Sequence, residues 1–263
     1  MAAYETDLSD EQWRLIAPLI PPAKTGGRRR TTDVRRVFDA CLYITKTGCQ
    51  WRQVPKDFPP KGTIYEYFKK WRDDGTIRRI HRSLYFETRK QAKRSRYPSV
   101  LIIDSQSVKT GKMGGERGFD GGKRVKGRKR NVITDSLGLP FVFTVTAANV
   151  HDLRGAEKAL SRAAIFLGGR SVKKVYADGA YQGASFREWV ADKFDAVVQI
   201  SKNLAQKFKT FVPVSQRWVV ERTFAWFSDY RRLTIDYERL ISSSRAVLRL
   251  ATINLMLRRL APA

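Results

Sequence analysis

Three carboxylates stand out by where they fall in the chain. Asp104 interrupts a β-branched run, SVLIIDSQSV, where aspartate is disfavoured. Asp178 follows a second such run, VKKVYA, and precedes Gly179. Glu221 lies in VSQRWVVERTFAWFSDYRRL, a stretch of helical periodicity with Arg217 one turn before it. Each has an ordinary explanation. Asp104 can close a turn with Ser105 or Ser107, Asp178 can belong to an Asp-Gly turn, and Glu221 can pair with Arg217 at the surface. Jointly they suit a chemistry. Breaking a phosphodiester needs an activated water or 3′-hydroxyl and a stabilised leaving oxygen, which two Mg²⁺ ions about 3.5–4 Å apart provide. Mg²⁺ takes hard oxygen ligands, usually one or two carboxylates with water or phosphate. Two aspartates at strand ends and a glutamate on a helix can hold that pair if they converge within roughly 8 Å. An arginine one turn from the glutamate would face phosphate.

The elements that must position these residues differ along the chain. Residues 1–95 read as all-helical. Ser9 and Gln12 form a capping box before Trp13, Ile16 and Ile20, and Pro21 and Pro22 end that helix. Residues 31–47 carry an apolar face from Val34 to Ile44 and stop at Gly48. A further helix starts near Thr63 with Ile64, Phe68 and Trp71 on one side, closes at Gly75, and a basic helix runs on to about Lys93. The helices around Gly48 and Gly62 fit either a helix-turn-helix or a small bundle with a solvated basic face.

The pattern changes at Pro98. SVLIIDSQSV, KRNVITDS and FVFTVTAANV read as strands, the last two joined by a turn at Leu137 to Pro140. HDLRGAEKALSRA begins a helix with Asp152 as the N-cap. VKKVYADG is a strand, FREWVADKF a helix, AVVQIS a strand, and the chain is helical from about Val214. In that last region Val219, Thr223, Trp226, Phe227 and Tyr230 form the buried stripe. The order β-β-β-α-β-α-β-α predicts an α/β mixed sheet flanked by helices over residues 96–263. Asp104 and Asp178 then fall at or near the C-terminal ends of strands, where carboxylates can meet at one sheet edge.

Composition narrows the partner. There are 51 Lys and Arg against 25 Asp and Glu, a net charge of +26. Such a chain favours a polyanion, nucleic acid first and an anionic membrane second. No apolar run approaches the ~20 residues of a membrane span. The acidic N-terminus lacks the basic flank of a signal peptide. Cys41 and Cys49 offer no zinc spacing and no disulfide framework, as expected in a reducing cytosol. The segment from Lys109 to Arg130 reads as a basic Gly-rich loop: residues 110–130 hold seven glycines and eight Lys or Arg. It is not a P-loop, since GGK at 121–123 lacks the leading Gly and the trailing Ser or Thr. Lys123, Arg124, Lys126, Arg128, Lys129 and Arg130 are the expected phosphate contacts.

The segments IIDSQSVKT, GGERGFDGGKRVKGRKRNVITDSLGLP, ANVHD, VYADGAYQG and RWVVERTFAWFSDYRRL resemble those of bacterial insertion-sequence transposases with a DDE triad. DLSDEQWRLIAPLIPP, ITKTGCQWRQVP and FPPKGTIYEYFKKW resemble the helical N-terminal domain of the same group, so nearly the whole chain is covered in order. The resemblance implies a ribonuclease H-like catalytic domain and carries the triad onto Asp104, Asp178 and Glu221 as metal ligands. It implies Mg²⁺ as cofactor, two ions, with Mn²⁺ able to substitute. It implies double-stranded DNA as partner, both element ends and target, and a dimer at work on DNA. One motif departs. The family's Tyr-x-x-Arg-x-x-x-Glu-x-x-x-x-x-x-Lys is met at Arg217 and Glu221, but Val214 and Ser228 occupy the Tyr and Lys places. Arg231 or Arg232 could supply the late cation. His151 and Asp152 read as a helix cap ahead of a catalytic pair. The function expected is metal-dependent DNA cleavage and strand transfer by a cytoplasmic, nucleoid-associated protein. The alternatives are a domesticated DNA-binding protein without activity and a basic RNA-binding protein, which needs no converging carboxylates.

Overall fold

A computed structural model describes residues 4–23, 25–26, 29–112, 114–200 and 217–262, with the side chain of Arg217 outside the description. The chain forms two compact units. One comprises residues 1–94, 229–234 and 242–263, the other residues 95–228 and 235–241.

The first unit is helical: α1 (Asp10–Ile16), α2 (Val34–Thr47), α3 (Lys61–Asp73), α4 (Thr76–Gln91), α8 (Arg231–Thr234) and α9 (Ile241–Leu260). The capping box at α1 forms as expected, Ser9 Oγ accepting from the Gln12 amide and the Gln12 side chain accepting from the Ser9 amide. α2 ends at Gly48, which takes the left-handed conformation at φ 73°. Its apolar face meets the aromatic rows on α3, with Phe38 and Trp71 ring centroids 5.8 Å apart. A helix-turn-helix joins its helices by a turn of about 3–4 residues. α2 and α3 are separated by residues 48–60, which include a 3₁₀ turn at Trp51–Gln53, so the pair around Gly48 and Gly62 does not have that form.

The domain boundary expected in the C-terminal region is corrected by the packing. α9 is buried on most sides, including Ser243, Ser244, Thr252 and Asn254. A helix buried nearly all round needs neighbours on every side, and α9 finds them among the N-terminal helices. Arg72 donates to Ser243 Oγ at 2.7 Å, and Gln12 Nε2 donates to the Ala261 carbonyl at 2.9 Å.

The second unit is an α/β layer of the ribonuclease H-like kind. Its strands are β1 (Val100–Lys109), β2 (Gly118–Asp120), β3 (Val125–Thr134), β4 (Pro140–Ala147), β5 (Lys174–Ala177) and β6 (Val197–Ile200). Among the described residues they form one mixed sheet in the order β2-β3-β1-β5-β6, with β4 also paired to β3. β1 runs antiparallel to β3 and parallel to β5. The helices are α5 (Asp152–Leu167), α6 (Ala184–Phe194) and α7 (Arg217–Ser228). The expected basic loop is in large part sheet, because β2 and β3 form a hairpin within residues 118–134. The cap of α5 is His151, whose Nδ1 accepts from the Leu153 amide, and not Asp152. Asp152 is turned instead to a lysine and a serine of the sheet. In α7 the buried positions include Val219, Val220, Thr223 and Phe227, while Trp226 is half-buried. No helix among the described residues is long and apolar enough to cross a membrane.

Candidate active site

The register of β1 and β5 sets the site. Ile102 faces Tyr176 across the parallel pair. Asp104 and Asp178 each lie two residues further on, so strand alternation puts both on the face that Ile102 and Tyr176 occupy. That face is covered by α7. Val219 and Val220 pack with Ile102, and Val100, Tyr176 and Phe224 join the cluster. On a helix Glu221 flanks the stripe defined by Val220 and Phe224, and it is exposed. Apolar contact between α7 and β1 therefore brings the helix bearing Glu221 to the face that bears Asp104. Among the described residues, no three His, Cys, Asp or Glu side chains stand close enough together to hold a metal ion. The structure thus puts Asp104 on the sheet face that α7 covers, Asp178 just past the end of β5 and Glu221 exposed on α7, without gathering all three.

Asp178 caps the 3₁₀ turn Gly179–Tyr181, accepting from the Ala180 amide at 2.9 Å. This turn directs Tyr181 inward, where it is 1% exposed. Burial pushes the Tyr181 hydroxyl well above its ordinary pKa, and the charges of Asp104, Asp152 and Asp178 push it the same way. The Tyr181 hydroxyl is thus buried within the electrostatic reach of Asp104, Asp152 and Asp178. Its hydroxyl lies beside Ser105 and has no well-formed hydrogen bond among the described residues. Ser105 Oγ donates to Asp152 Oδ1 at 3.0 Å, and the Ser105 amide donates to Asp104 Oδ1 at 2.7 Å. Sequence reasoning passed over Tyr181, although it stands in the VYADGAYQG segment. Asp152 reads as a cap from sequence because its partners, Ser105 and Lys129, lie far from it in the chain.

The expected DNA contacts divide sharply. Lys123, Arg124, Lys126 and Arg231 are exposed. Arg128, Lys129, Arg130 and Arg232 are buried, which corrects their assignment to phosphate. Arg128 pairs with Asp236 at 3.2 Å and donates to the Glu116, Glu238 and Arg239 carbonyls at 2.6–2.9 Å. Lys129 pairs with Asp152 at 2.9 Å and donates to the Val150 carbonyl, bracing the start of α5. Arg130 is enclosed, and burial lowers its guanidinium to about 10 against the pull of Asp236. Arg232 donates to the Cys49 carbonyl at 3.1 Å within the helical unit. Buried cations satisfied in this way serve the fold, since drawing one out to a phosphate would leave its partners unpaired. The Arg217 side chain and Val214 lie outside the described residues.

The carboxylate oxygens of Asp104 in β1 and Asp178 just past β5 are hard donors, of the kind that Mg²⁺ accepts with water or phosphate completing its shell. Residues 8–81 match a family described as a proposed transposase of the IS4/5 family, and residues 95–256 match the family described as transposase DDE domain. A proposed transposase of insertion sequence element IS402 from Burkholderia cepacia is 32% identical over 129 residues, covering 47% of this chain and 60% of that protein. An uncharacterised 16.2 kDa protein of the same element is 30% identical over 89 residues, covering 31% of this chain and 60% of that protein. The chain thus spans about 60% of the length of these curated relatives. Since the DDE match extends over more than half of the residues, the chain belongs to the transposase DDE domain family.

Proposed function

We propose that this chain is a DNA transposase that binds the ends of an insertion sequence, cuts them and joins them to target DNA. The observation that carries this reading is the register of Ile102 with Tyr176 on the face covered by α7, which supports a placement of Asp104 and Asp178, two residues further on, side by side. DDE transposase domains depend in general on divalent metal. Mg²⁺, or Mn²⁺ in its place, would act as Lewis acid at the attacked phosphate and at the leaving oxygen. Asp104 and Asp178 would hold it, with Glu221 contributing from α7. Tyr181, buried nearby, would help to limit water on the inner side of the two aspartates. Lys123, Arg124, Lys126 and Arg231 would neutralise DNA phosphates without reading sequence. The helical unit would supply further DNA contacts, and a dimer would hold two ends together. Nucleoid association would follow from DNA binding.

The test is incubation of the purified protein with duplex DNA carrying the inverted repeats that flank its gene, with and without Mg²⁺. Nicks at the repeat ends that require Mg²⁺ are expected. Tight binding of the repeats without nicking would favour a domesticated DNA-binding protein. Preference for RNA over duplex DNA would overturn both readings.

A further inference from the structure

The β2–β3 hairpin is held in an unexpected place. Ser105 is paired with Asn131 across β1 and β3. At about 3.3 Å per residue, a straight β3 would put Lys123 roughly 25 Å along the strand from that pair. Yet Lys123 Nζ donates to the Ser105 carbonyl at 3.2 Å, and Asp120 Oδ2 accepts from Ser107 Oγ at 2.6 Å. The hairpin therefore folds back over β1. Gly127 permits the bend: a Cβ there would collide with the Val108 carbonyl oxygen. The tip of the hairpin comes to rest against the backbone of the residue that follows Asp104.

Both neighbours of Phe119 are tied down. Asp120 is buried, accepting also from the Lys123 amide, and a Cβ on Gly118 would strike the Asn149 amide group. Alternation then turns Phe119 outward, where it is 57% exposed. Its cross-strand partner is Lys126, also exposed, and Lys123 and Arg124 form the turn beside it. Arg117 is exposed on the approach. A large aromatic ring turned outward beside four exposed cations matches a surface that is both anionic and stacked.

We infer that Phe119 packs against the base stack of duplex DNA close to the scissile phosphate, with Lys123, Arg124 and Lys126 on the flanking phosphates. The inference rests on the transposase reading and adds to it the hairpin as the element that grips the DNA end beside Asp104. Apolar side chains inserted at base steps and aromatic rings stacked on bases are established ways of gripping DNA. The folded-back hairpin accounts for why the ring is near the chemistry rather than at the far end of the sheet.

The experiment places 2-aminopurine at each of the terminal base pairs of the flanking inverted repeat in turn. Fluorescence and affinity are measured in EDTA for wild type, F119A, F119Y and K123A/R124A/K126A. With wild type and F119Y, unstacking should raise fluorescence at one or two positions near the cleavage point. F119A should lose that signal and bind about tenfold more weakly with an unchanged salt slope. The triple variant should flatten the slope. Phe119 is exposed, so F119A should melt with wild type, and a lower melting temperature would show the ring to be structural and overturn the inference. Wild-type affinity and wild-type fluorescence in F119A would overturn it while leaving the transposase reading intact. An altered oligomeric state in F119A with unaltered DNA binding would assign the ring to a subunit contact and overturn it too. Failure of the wild type to bind the repeats at all would overturn the transposase reading first and this inference with it.

Discussion

Asp104 in β1 and Asp178 just past the end of β5 each lie two residues beyond a pair, Ile102 and Tyr176, that is in register across the parallel strands. The register matters because parallel strands carry equivalent positions to the same height and the same face. Two carboxylates arranged so must repel unless a cation or hydrogen-bond donors stand between them. The buried phenol of Tyr181 lies within the electrostatic reach of both, and of Asp152, and their charges raise its pKa further.

Replacing either carboxylate should separate chemistry from binding. Asp104→Asn and Asp178→Asn keep side-chain size and remove the charge that attracts divalent metal. Glu221→Gln does the same on α7. Cleavage and strand transfer should fall by at least about a hundredfold in each variant. Gel-shift affinity should stay at the wild-type value or rise slightly, because a negative charge leaves the neighbourhood of phosphate. Cleavage and gel shift measured on the same folded preparations check this. Wild-type cleavage in all three would remove them from the active site.

Salt dependence should distinguish exposed from buried cations. Alanine at Lys123, Arg124 or Lys126 should each flatten the log–log salt slope of duplex binding by up to about 0.9. Alanine at Lys129 or Arg130 should lower stability in urea without a direct effect on the slope of the folded fraction. Equal slope changes for both groups would mean that the buried pair reaches the DNA after all.

The Arg128–Asp236 pair should behave as a buried ion pair. The two side chains are 0% and 1% exposed and lie 3.2 Å apart. Removing one partner strands the other's charge, so Asp236→Asn and Arg128→Met should each cost about 3–5 kcal/mol. Arg128→Met should be the worse, since that guanidinium also serves three backbone carbonyls. Arg128→Met/Asp236→Leu should cost less than the sum of its parts. Additive losses in urea unfolding would show that the charges do not depend on each other.

Asp39 should give stability an inverted pH dependence in the acid range. Burial pushes its carboxyl up to about 6, outweighing the pull of Arg36 and the hydrogen bond from the Leu8 amide. Unfolded, an aspartate titrates near 3.9. Between about 4 and 6 the folded chain holds the extra proton, so this group's contribution shrinks as pH rises through that window. The stability difference between wild type and Asp39→Asn should shift by up to about 3 kcal/mol across it. Melting temperatures of the two at pH 4.5 and pH 7 report the change. A constant difference would mean that Asp39 is ionised throughout.

The sequence by itself determined the local elements and the residue types of the site. A Ser-x-x-Gln cap, a glycine stop at residue 48 and β-branched runs ending in Asp104 and Asp178 each act within a few residues, so their outcome can be read from neighbours alone. Family motifs named the third carboxylate, Glu221, where helix geometry alone favoured a surface ion pair. What only the tertiary structure decided is which charges meet water. Arg128 and Arg130 are indistinguishable in sequence from Lys123 and Arg124, yet one pair is sealed in the sheet and the other exposed. The partner that makes burial tolerable, Asp236, lies more than a hundred residues away and reaches them only through the fold. The same holds for α9, whose apolar surface could have been covered by either unit, and for Phe119, whose exposure depends on a hairpin folded back at Gly127. Hydrogen bonding along the backbone is local and leaves its mark on spacing. Desolvation depends on everything that packs around a side chain, and no stretch of sequence contains that.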